Sequence, residues 1–510
     1  MVFSFNINRN LLNLILLMIL AGCTGKISNH TKADTYASVF PDYCGIVIPP
    51  NIAPLNFHIN ENGKKYYIEI YSDNGGKMVI RQRSPGIEIP VDRWHRLLGS
   101  NKGNRLYTDI YVKNDRWMKY ATIIDSIAEE EIESHLVYRI INTQYKVSRN
   151  MKLFQRDLES FTESLIFDNS ATKFGCFNCH TFSRNDPQKM SLHFRQENPG
   201  TMILNGEKLT KLNTKTAFTM SAFGYPAWNP NGELIAYSVN KFNEYFLNDK
   251  DNFYEVTDQG SDIVVYNIRT NMVTTSPKIS TKSRENFPTW SPDGKWLYFL
   301  SAPETSGDFQ SRFYTKYSLL KISYDHIANT WGDADTVLSS HETGKSITFP
   351  RISPDGRYLL FCMIDHGYFS INHQASDLYL MDLTTRQYRK LDINSGMNES
   401  YHCWSQNGRW FVFSSKRQNK EFSRPYISYF DKEGKAHKPF VLPQKDPLFY
   451  NAFLYNYNIP ELVKGKISLN PRKISNLLQK EPEDVQFDPT VDIDALSGAT
   501  KIVQTSGVGH

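Results

Sequence analysis

One octapeptide pattern recurs along the chain and restricts the fold more than any other feature. Tyr225-Pro226-Ala227-Trp228-Asn229-Pro230-Asn231-Gly232 returns as Phe287-Pro288-Thr289-Trp290-Ser291-Pro292-Asp293-Gly294 and as Phe349-Pro350-Arg351-Ile352-Ser353-Pro354-Asp355-Gly356. A looser fourth copy is Tyr401-His402-Cys403-Trp404-Ser405-Gln406-Asn407-Gly408. After each Gly comes an apolar strand, such as Leu297-Tyr298-Phe299-Leu300, and then others such as Asp377-Leu378-Tyr379-Leu380-Met381-Asp382. Each unit therefore reads as a strand, a tight Asp-Gly or Asn-Gly turn, and two or three further strands. One such sheet cannot bury both of its faces alone, so the units must stack radially. The expected class is mainly β: a β-propeller preceded by a small β-domain.

Upstream of the first clear copy stands Cys176-Phe177-Asn178-Cys179-His180. Cys179-His180-Thr181-Phe182-Ser183 aligns with Phe287-Pro288-Thr289-Trp290-Ser291, and Asn185-Asp186-Pro187 replaces the turn. From His180 to Pro226 is 46 residues, the next two intervals are 62 each, and Pro350 to His402 is 52, so this segment opens a blade and the ring has five or more. The repeat resembles the TolB-type, WD40-like blade.

Cys-x-x-Cys-His is the attachment signature of haem c: two thiols three positions apart reach both vinyl groups, and the adjacent imidazole meets the iron. Zinc would want a second Cys or His pair at ligand spacing, and a redox dithiol a βαβ surround; neither is evident. The resemblance to c-type cytochromes implies Cys176 and Cys179 as thioether positions and His180 as an iron ligand. Three residues are candidates for the second axial ligand: His402, His193 and Met190. The first strand of each blade lines the channel, so His402 on the last recognisable blade is expected near His180 at the channel mouth. A hairpin over 185–188 puts His193 almost opposite His180, too close for two imidazoles to sandwich one iron. A Met ligand would raise the potential relative to His, and an open position would admit small molecules.

The organisation expected is a signal peptide over 1–22, a tether over 23–35, an N-terminal β-domain over 36–150, the haem segment over 151–204, the propeller over 205–460 and a tail over 461–510. Tyr66-Tyr67-Ile68-Glu69-Ile70 alternates as a strand, Asn74-Gly75-Gly76 marks a hairpin, and 126–136, rich in Ala, Ile and Glu, is expected to be a helix. Arg9 precedes the apolar run Leu11 to Leu20, which is too short to span a bilayer and ends in Leu20-Ala21-Gly22-Cys23. That ending resembles the lipobox of bacterial lipoproteins and implies acylation of Cys23. The charge just after Cys23 is mixed, with Lys26 and Lys32 before Asp34, whereas export signals of Bacteroides-type surface lipoproteins are acidic there. The expected location is the periplasmic face of the outer membrane, held by the lipid anchor.

Near the other end, Asp494-Ala495-Leu496-Ser497-Gly498-Ala499-Thr500 resembles the Asp-x-x-Ser-Gly-Ala-Thr sequence of FMN-binding domains, which implies covalent FMN at Thr500. The chain ends ten residues later, and no other part of an FMN-binding fold is recognisable before it. Cys44, Cys362 and Cys403 carry no spacing that pairs them.

Lys plus Arg number 58 against 53 Asp plus Glu, with no dense basic cluster, so a nucleic-acid footprint is not expected. No Ser-His-Asp, His-Glu-x-x-His or phosphate-loop pattern appears. Three functions follow as expectations: a lipid-anchored electron carrier meeting redox proteins of the cell envelope, a TolB-like envelope binding or scaffolding lipoprotein, and a haem enzyme of peroxidase or reductase type. The first is the principal expectation, and it makes the chain a carrier rather than a catalyst.

Overall fold

The computed structural model describes residues 27–142, 149–216, 219, 221–247, 254–305 and 308–498. Among the described residues, six sheets of four or five strands, antiparallel except for two short edge strands, form a β-propeller. The second to sixth blades begin with the inner strands Phe177–Phe182, Phe223–Trp228, Arg284–Trp290, Ser346–Ile352 and Glu399–Trp404. Blade 1 is built differently. Its inner strand, Asn456–Val463, comes from late in the chain, and the outer three, His135–Ile141, Lys152–Asp157 and Glu163–Asp168, precede all the other blades. Closure is antiparallel, with Leu136 opposite Leu462 and Arg139 opposite Asn458.

The repeated turns form as the sequence requires. Gly232, Gly294, Gly356 and Gly408 have φ of 70°, 74°, 77° and 67°, the left-handed region that glycine enters at least cost. In three of the four turns a Ser hydroxyl bonds the Asp or Asn two residues on (Ser291–Asp293, Ser353–Asp355, Ser405–Asn407). That same hydroxyl then accepts the N–H of the residue opening the next strand, as Trp296 and Tyr358 show.

A second repeated device lies mid-strand. Each inner strand carries one extra residue with positive φ: Cys179 (57°), Tyr225 (46°), Phe287 (46°), Phe349 (52°), Tyr401 (42°) and Ile459 (51°). His180, Pro226, Pro288, Pro350, His402 and Pro460 follow them. These bulges interrupt the ladder, as between Asn286 and Thr289, and leave backbone positions at which proline removes no pairing hydrogen bond. Ile459-Pro460 is a sixth copy of the device. It has no Asp-Gly turn because the chain does not reverse there: the neighbouring strand was made some three hundred residues earlier.

The N-terminal domain is a mixed seven-stranded sheet covered by the helix Val91–Gly99. The hairpin Lys65–Ser72/Lys77–Gln82 turns through Gly75 and Gly76 as expected. Trp94, Leu97 and Leu98 of the helix join a core continuous with Trp404, Trp410 and Phe411 of blade 6. The segment 126–136 is a correction to the sequence reading, since it holds no helix. Ile123–Ile127 is a strand in which Ile123, Asp125 and Ile127 are buried while Ile124 and Ser126 are exposed. Period-two burial wins over local helix propensity. The following glutamates serve the interface: the Glu130 carbonyl accepts from Trp410 Nε1 at 3.0 Å and the Glu131 carbonyl from Asn407 Nδ2 at 2.6 Å.

The expected boundary at 150 falls inside blade 1, and the segment taken for a tail packs on the ring. Helix Pro471–Leu478, capped by Asn470, buries Ile474, Leu477 and Leu478 in the core of blades 1 and 2. Lys211 Nζ donates to the terminal carbonyls of Leu478 and Lys480, a cation where the helix dipole favours one. Glu483–Asp484 and Gln486–Phe487 then add parallel strands to the outer edges of blades 2 and 3.

Leu462 is fully buried where blade 1 closes. Leu462→Ala should destabilise the protein by about 2–5 kcal/mol, the usual cost of removing a buried leucine side chain. Urea unfolding should show a lower midpoint, and limited proteolysis should cut first beside Asn456–Val463.

Candidate functional site

The six bulges meet on the axis. Cys179, Tyr225, Phe287, Phe349, Tyr401 and Ile459 line one small cavity together with His180 and the prolines, and its volume is about 40 Å³. Tyr225 and Phe287 rings lie 4.2 Å apart, and Phe349 and Tyr401 rings 4.6 Å apart. The channel is thus filled by side chains at its waist. On the side of the Asp-Gly turns it widens to about 150 Å³ between residues that include Arg184, Trp228, Pro292, Arg351 and Glu461.

The Cys-x-x-Cys-His segment enters this ring at blade 2. Cys176 is half-buried just before the inner strand, and its carbonyl accepts from Arg195 N at 2.8 Å. Cys179 and His180 occupy the bulge and are buried, and burial pushes the Cys179 thiol up. Beneath them the Arg139 guanidinium donates to the Phe177 carbonyl and to Asn458 Oδ1 at 2.7 Å. Burial, with this cation second, lowers His180 to about 3. Neither His180 ring nitrogen meets a hydrogen-bond partner among the described residues, although the backbone of Ile459 and Val137 lies close. A buried neutral imidazole without partners is costly, and metal ligation is one use that would explain it.

The other expected ligands lie elsewhere. His402 is separated from His180 by the whole inner strand of blade 1, which packs against the inner strands of both blade 2 and blade 6. Its Nε2 donates to the Leu360 carbonyl at 2.9 Å and its ring meets Phe349. His402 and His180 are therefore near neighbours in the ring, with one blade between them, built from residues 135–168 and the late strand Asn456–Val463. His193 pairs with Asn178 rather than His180, because the bulge shifts the register, and Nδ1 bonds the Thr201 hydroxyl at 3.1 Å. Met190 is fully buried in the core between blades 1 and 2. Cys23 and Thr500 lie outside the described residues. Gly498, two residues before Thr500, is pressed against blade 3: a Cβ there would fall 2.3 Å from Asp262 Oδ1 and 2.5 Å from Ser280 Oγ.

The donor chemistry beside the channel thus matches a porphyrin. Cys176 stands just before the inner strand and Cys179 and His180 on it, beside a cavity of about 40 Å³ that has room for water.

On the side opposite the turns, the long hairpin Leu234–Phe246/Tyr254–Asn267 extends from blade 3. There buried Asp258 accepts from Asn240, Asn286, Tyr317 and Tyr368 at 2.8–3.3 Å, and burial raises it to about 6. Tyr368 packs on Tyr225 and Phe287 of the channel ring. Beside it His373 Nε2 stands 2.6 Å from Glu255 Oε2, with His366 against His373. Sequence reading missed this group, because its members are 118 residues apart at the extremes and belong to two blades. A cleft of about 690 Å³ opens between the N-terminal domain and blades 1 and 6, where His58, Glu88, Arg156, Phe161, Lys445 and Phe449 face it.

No protein-family model matches the chain. An uncharacterized protein of Agrobacterium fabrum strain C58, Atu1656, is 27% identical over 185 residues, which are 31% of this chain and 59% of that protein. The chain spans about three fifths of that relative's length. Among solved structures it is similar to TolB from Acinetobacter baumannii, with 12% identity and a TM-score of 0.41 over 73% of this chain and 85% of that one. It is also similar to the Cps50 (Swd1) β-propeller domain of Myceliophteria thermophila, with 9% identity and a TM-score of 0.30 over 52% and 72%. The fold of the described residues, six sheets arranged as blades, is a β-propeller.

If the His180 imidazole is idle, His180→Pro reproduces what four other blades already have, and thermal unfolding should match or exceed wild type. His402→Leu strips the Leu360 carbonyl of its donor and should cost about 1–3 kcal/mol. Burial also raises Asp125 to about 7 and Glu285 to about 8. The folded state therefore keeps protons that the unfolded chain releases near pH 4, and this contribution is lost as pH rises through 7 and 8. Buried His180, His193 and His402, each lowered to about 3, oppose it only below about pH 6.5. Stability should thus fall between pH 6.5 and 8 by about 1 kcal/mol per pH unit, and Glu285→Gln should flatten the decline in melting temperature.

Proposed function

We propose that this chain is a binding or scaffolding lipoprotein of the cell envelope, anchored through Cys23 and offering a rigid propeller to a partner. The observation that carries this reading is the closed waist of the channel, about 40 Å³, set against an open cleft of about 690 Å³ at the junction with the N-terminal domain. A ring filled on its axis leaves its surfaces, not a central pocket, to do the binding. The cleft mixes Arg156, Lys445, Glu88 and Asp446 with Phe161, Leu448 and Phe449, a composition suited to a peptide or protein segment. No helix among the described residues is long and apolar enough to cross a membrane. Attachment in this reading rests on the acyl chains at Cys23.

A second reading is favoured by one observation, the two unpartnered nitrogens of His180 beside two thiols. In it Cys176 and Cys179 hold haem c, His180 ligates the iron and the protein exchanges electrons with envelope redox partners; FMN on Thr500 would extend the relay. The group would supply one-electron chemistry, and Arg139 and Arg195 would set the charge around it.

Expression with a lipoprotein pathway and cytochrome maturation machinery separates the two. The scaffold reading expects a colourless product whose mass carries acyl chains lost in Cys23→Ser. A reduced-minus-oxidised haem spectrum that disappears in Cys176→Ser/Cys179→Ser would replace it with the second reading. A mass increment of FMN that vanishes in Thr500→Ala would establish the flavin.

A further inference from the structure

We propose that Glu255, His366 and His373 form a binding site for one divalent transition-metal ion, which ties the projecting hairpin of blade 3 to blade 5 over the channel. One potential ligand atom from each residue lies within 4.8 Å of the other two. The proposal is independent of both readings above, since it uses neither the Cys-x-x-Cys-His segment nor the large cleft.

Three features make this more than a buried ion pair. First, a His–Glu pair needs only His373 and Glu255, yet a second imidazole stands in the same group. The His366 and His373 rings are 5.0 Å apart and inclined at 72°, and the buried Nδ1 of His366 has no hydrogen-bond partner among the described residues. Second, the ligands are held from behind. Asn398 Nδ2 donates to the carbonyls of Ser370 and His373 at 2.6 and 2.7 Å, fixing the loop that carries His373. Phe313 and Tyr314 pack on the His366 ring, with centroids at 4.7 and 5.1 Å. Third, Gly367 makes the close approach possible: with φ of 74°, its Cβ would lie 3.0 Å from Glu255 Oε1.

The donor set names the class of ion. Two imidazole nitrogens and one carboxylate oxygen suit zinc, iron(II) or cobalt(II), whereas calcium and magnesium prefer all-oxygen shells. Bonds of about 2.0–2.2 Å place tetrahedral ligand atoms about 3.3 Å apart. The Glu255–His373 contact at 2.6 Å must therefore widen and His366 must swing inward, motions of about an ångström at side-chain ends. The proton shared between Glu255 and His373 leaves as the metal takes its place. A fourth position stays open for water, as in other sites with three protein ligands. The neighbouring Asp365 is already engaged by Lys345 at 2.8 Å and is not a fourth ligand.

The test uses the full chain freed of metal by chelation and titrated with cobalt(II) or zinc(II). One equivalent of cobalt should bind with visible ligand-field bands and without the near-ultraviolet thiolate band that Cys176 and Cys179 would add, and zinc should raise the melting temperature. His366→Ala, at a half-buried edge where folding should persist, should weaken zinc binding by about 10–100-fold, a loss typical for metal-site supports and a lower bound for a ligand. Glu255→Gln and His373→Gln should do the same wherever circular dichroism shows a folded ring. Failure of the wild-type chain to take up either ion, equal affinity in His366→Ala, or a thiolate band lost in Cys179→Ser would each overturn the proposal.

Discussion

The structure depends on the pairing of Asn456–Val463 with His135–Ile141. Without that ladder blade 1 lacks its inner strand, the ring is open, and blades 2 and 6 each expose a face that the repeat has made apolar. Closure by a late strand joins parts of the chain more than three hundred residues apart, so its entropic cost is large and is met by burial on both flanks. The helix Pro471–Leu478 and the two short edge strands that follow extend the same fastening round the outside of blades 1 to 3. Residues 135–168 and 456–487 thus act as a clasp, while the blades between them supply repeating units.

Closure also decides what the Cys-x-x-Cys-His segment can be. Because blade 1 is inserted between blades 6 and 2, His402 and His180 occupy equivalent positions but are not neighbours. The six bulges then converge, and five apolar or aromatic side chains join Cys179 in filling the axis. In four of them the next residue is proline, which needs no hydrogen bond. Histidine in the other two positions has different fates: His402 finds the Leu360 carbonyl, and His180 finds no partner among the described residues. The difference between these two equivalent residues marks His180 as a place in the ring where packing alone does not account for the side chain.

The repeats were legible because each Asp-Gly or Asn-Gly turn is dictated by local sterics and hydrogen bonds, and those leave their mark within eight residues. Blade 2 was legible for the same reason, through Asn185-Asp186-Pro187. Blade 1 was not, since Ile459-Pro460 needs no turn after it and its partner strand lies far upstream. The supposed helix at 126–136 failed because Ala, Ile and Glu carry helix propensity while tertiary contacts drew Ile123 and Ile127 into a sheet and spent the Glu130 and Glu131 carbonyls on blade 6. The Cys, His and Met residues of the candidate site were legible as types, but their neighbours were set by ring closure and by a one-residue shift at the bulge. Glu255, His366 and His373 left no local signal, because only the stacking of blades brings them together.

The two faces of the ring are consequently unequal. On the turn side the mouth is lined by prolines and tryptophans, and Trp290 and Trp404 donate to the Ala227 and Arg351 carbonyls of the preceding blade, a surface fixed by the repeat itself. On the other side the hairpin of blade 3, the helix Phe309–Phe313 and the loop that carries His366 and His373 break the repeat and cover the channel. Asp258 sits below them with four neutral donors on its carboxylate, and the Arg284 guanidinium donates to its backbone carbonyl at 3.4 Å, so these dipoles and that cation together stabilise its charge. A cation fixed at Glu255, His366 and His373 would lie over that buried carboxylate and would strengthen the hold of the hairpin on blade 5. The departures from the repeat therefore have a shared physical logic: they gather buried charge on one face of a ring whose other face is set by turns.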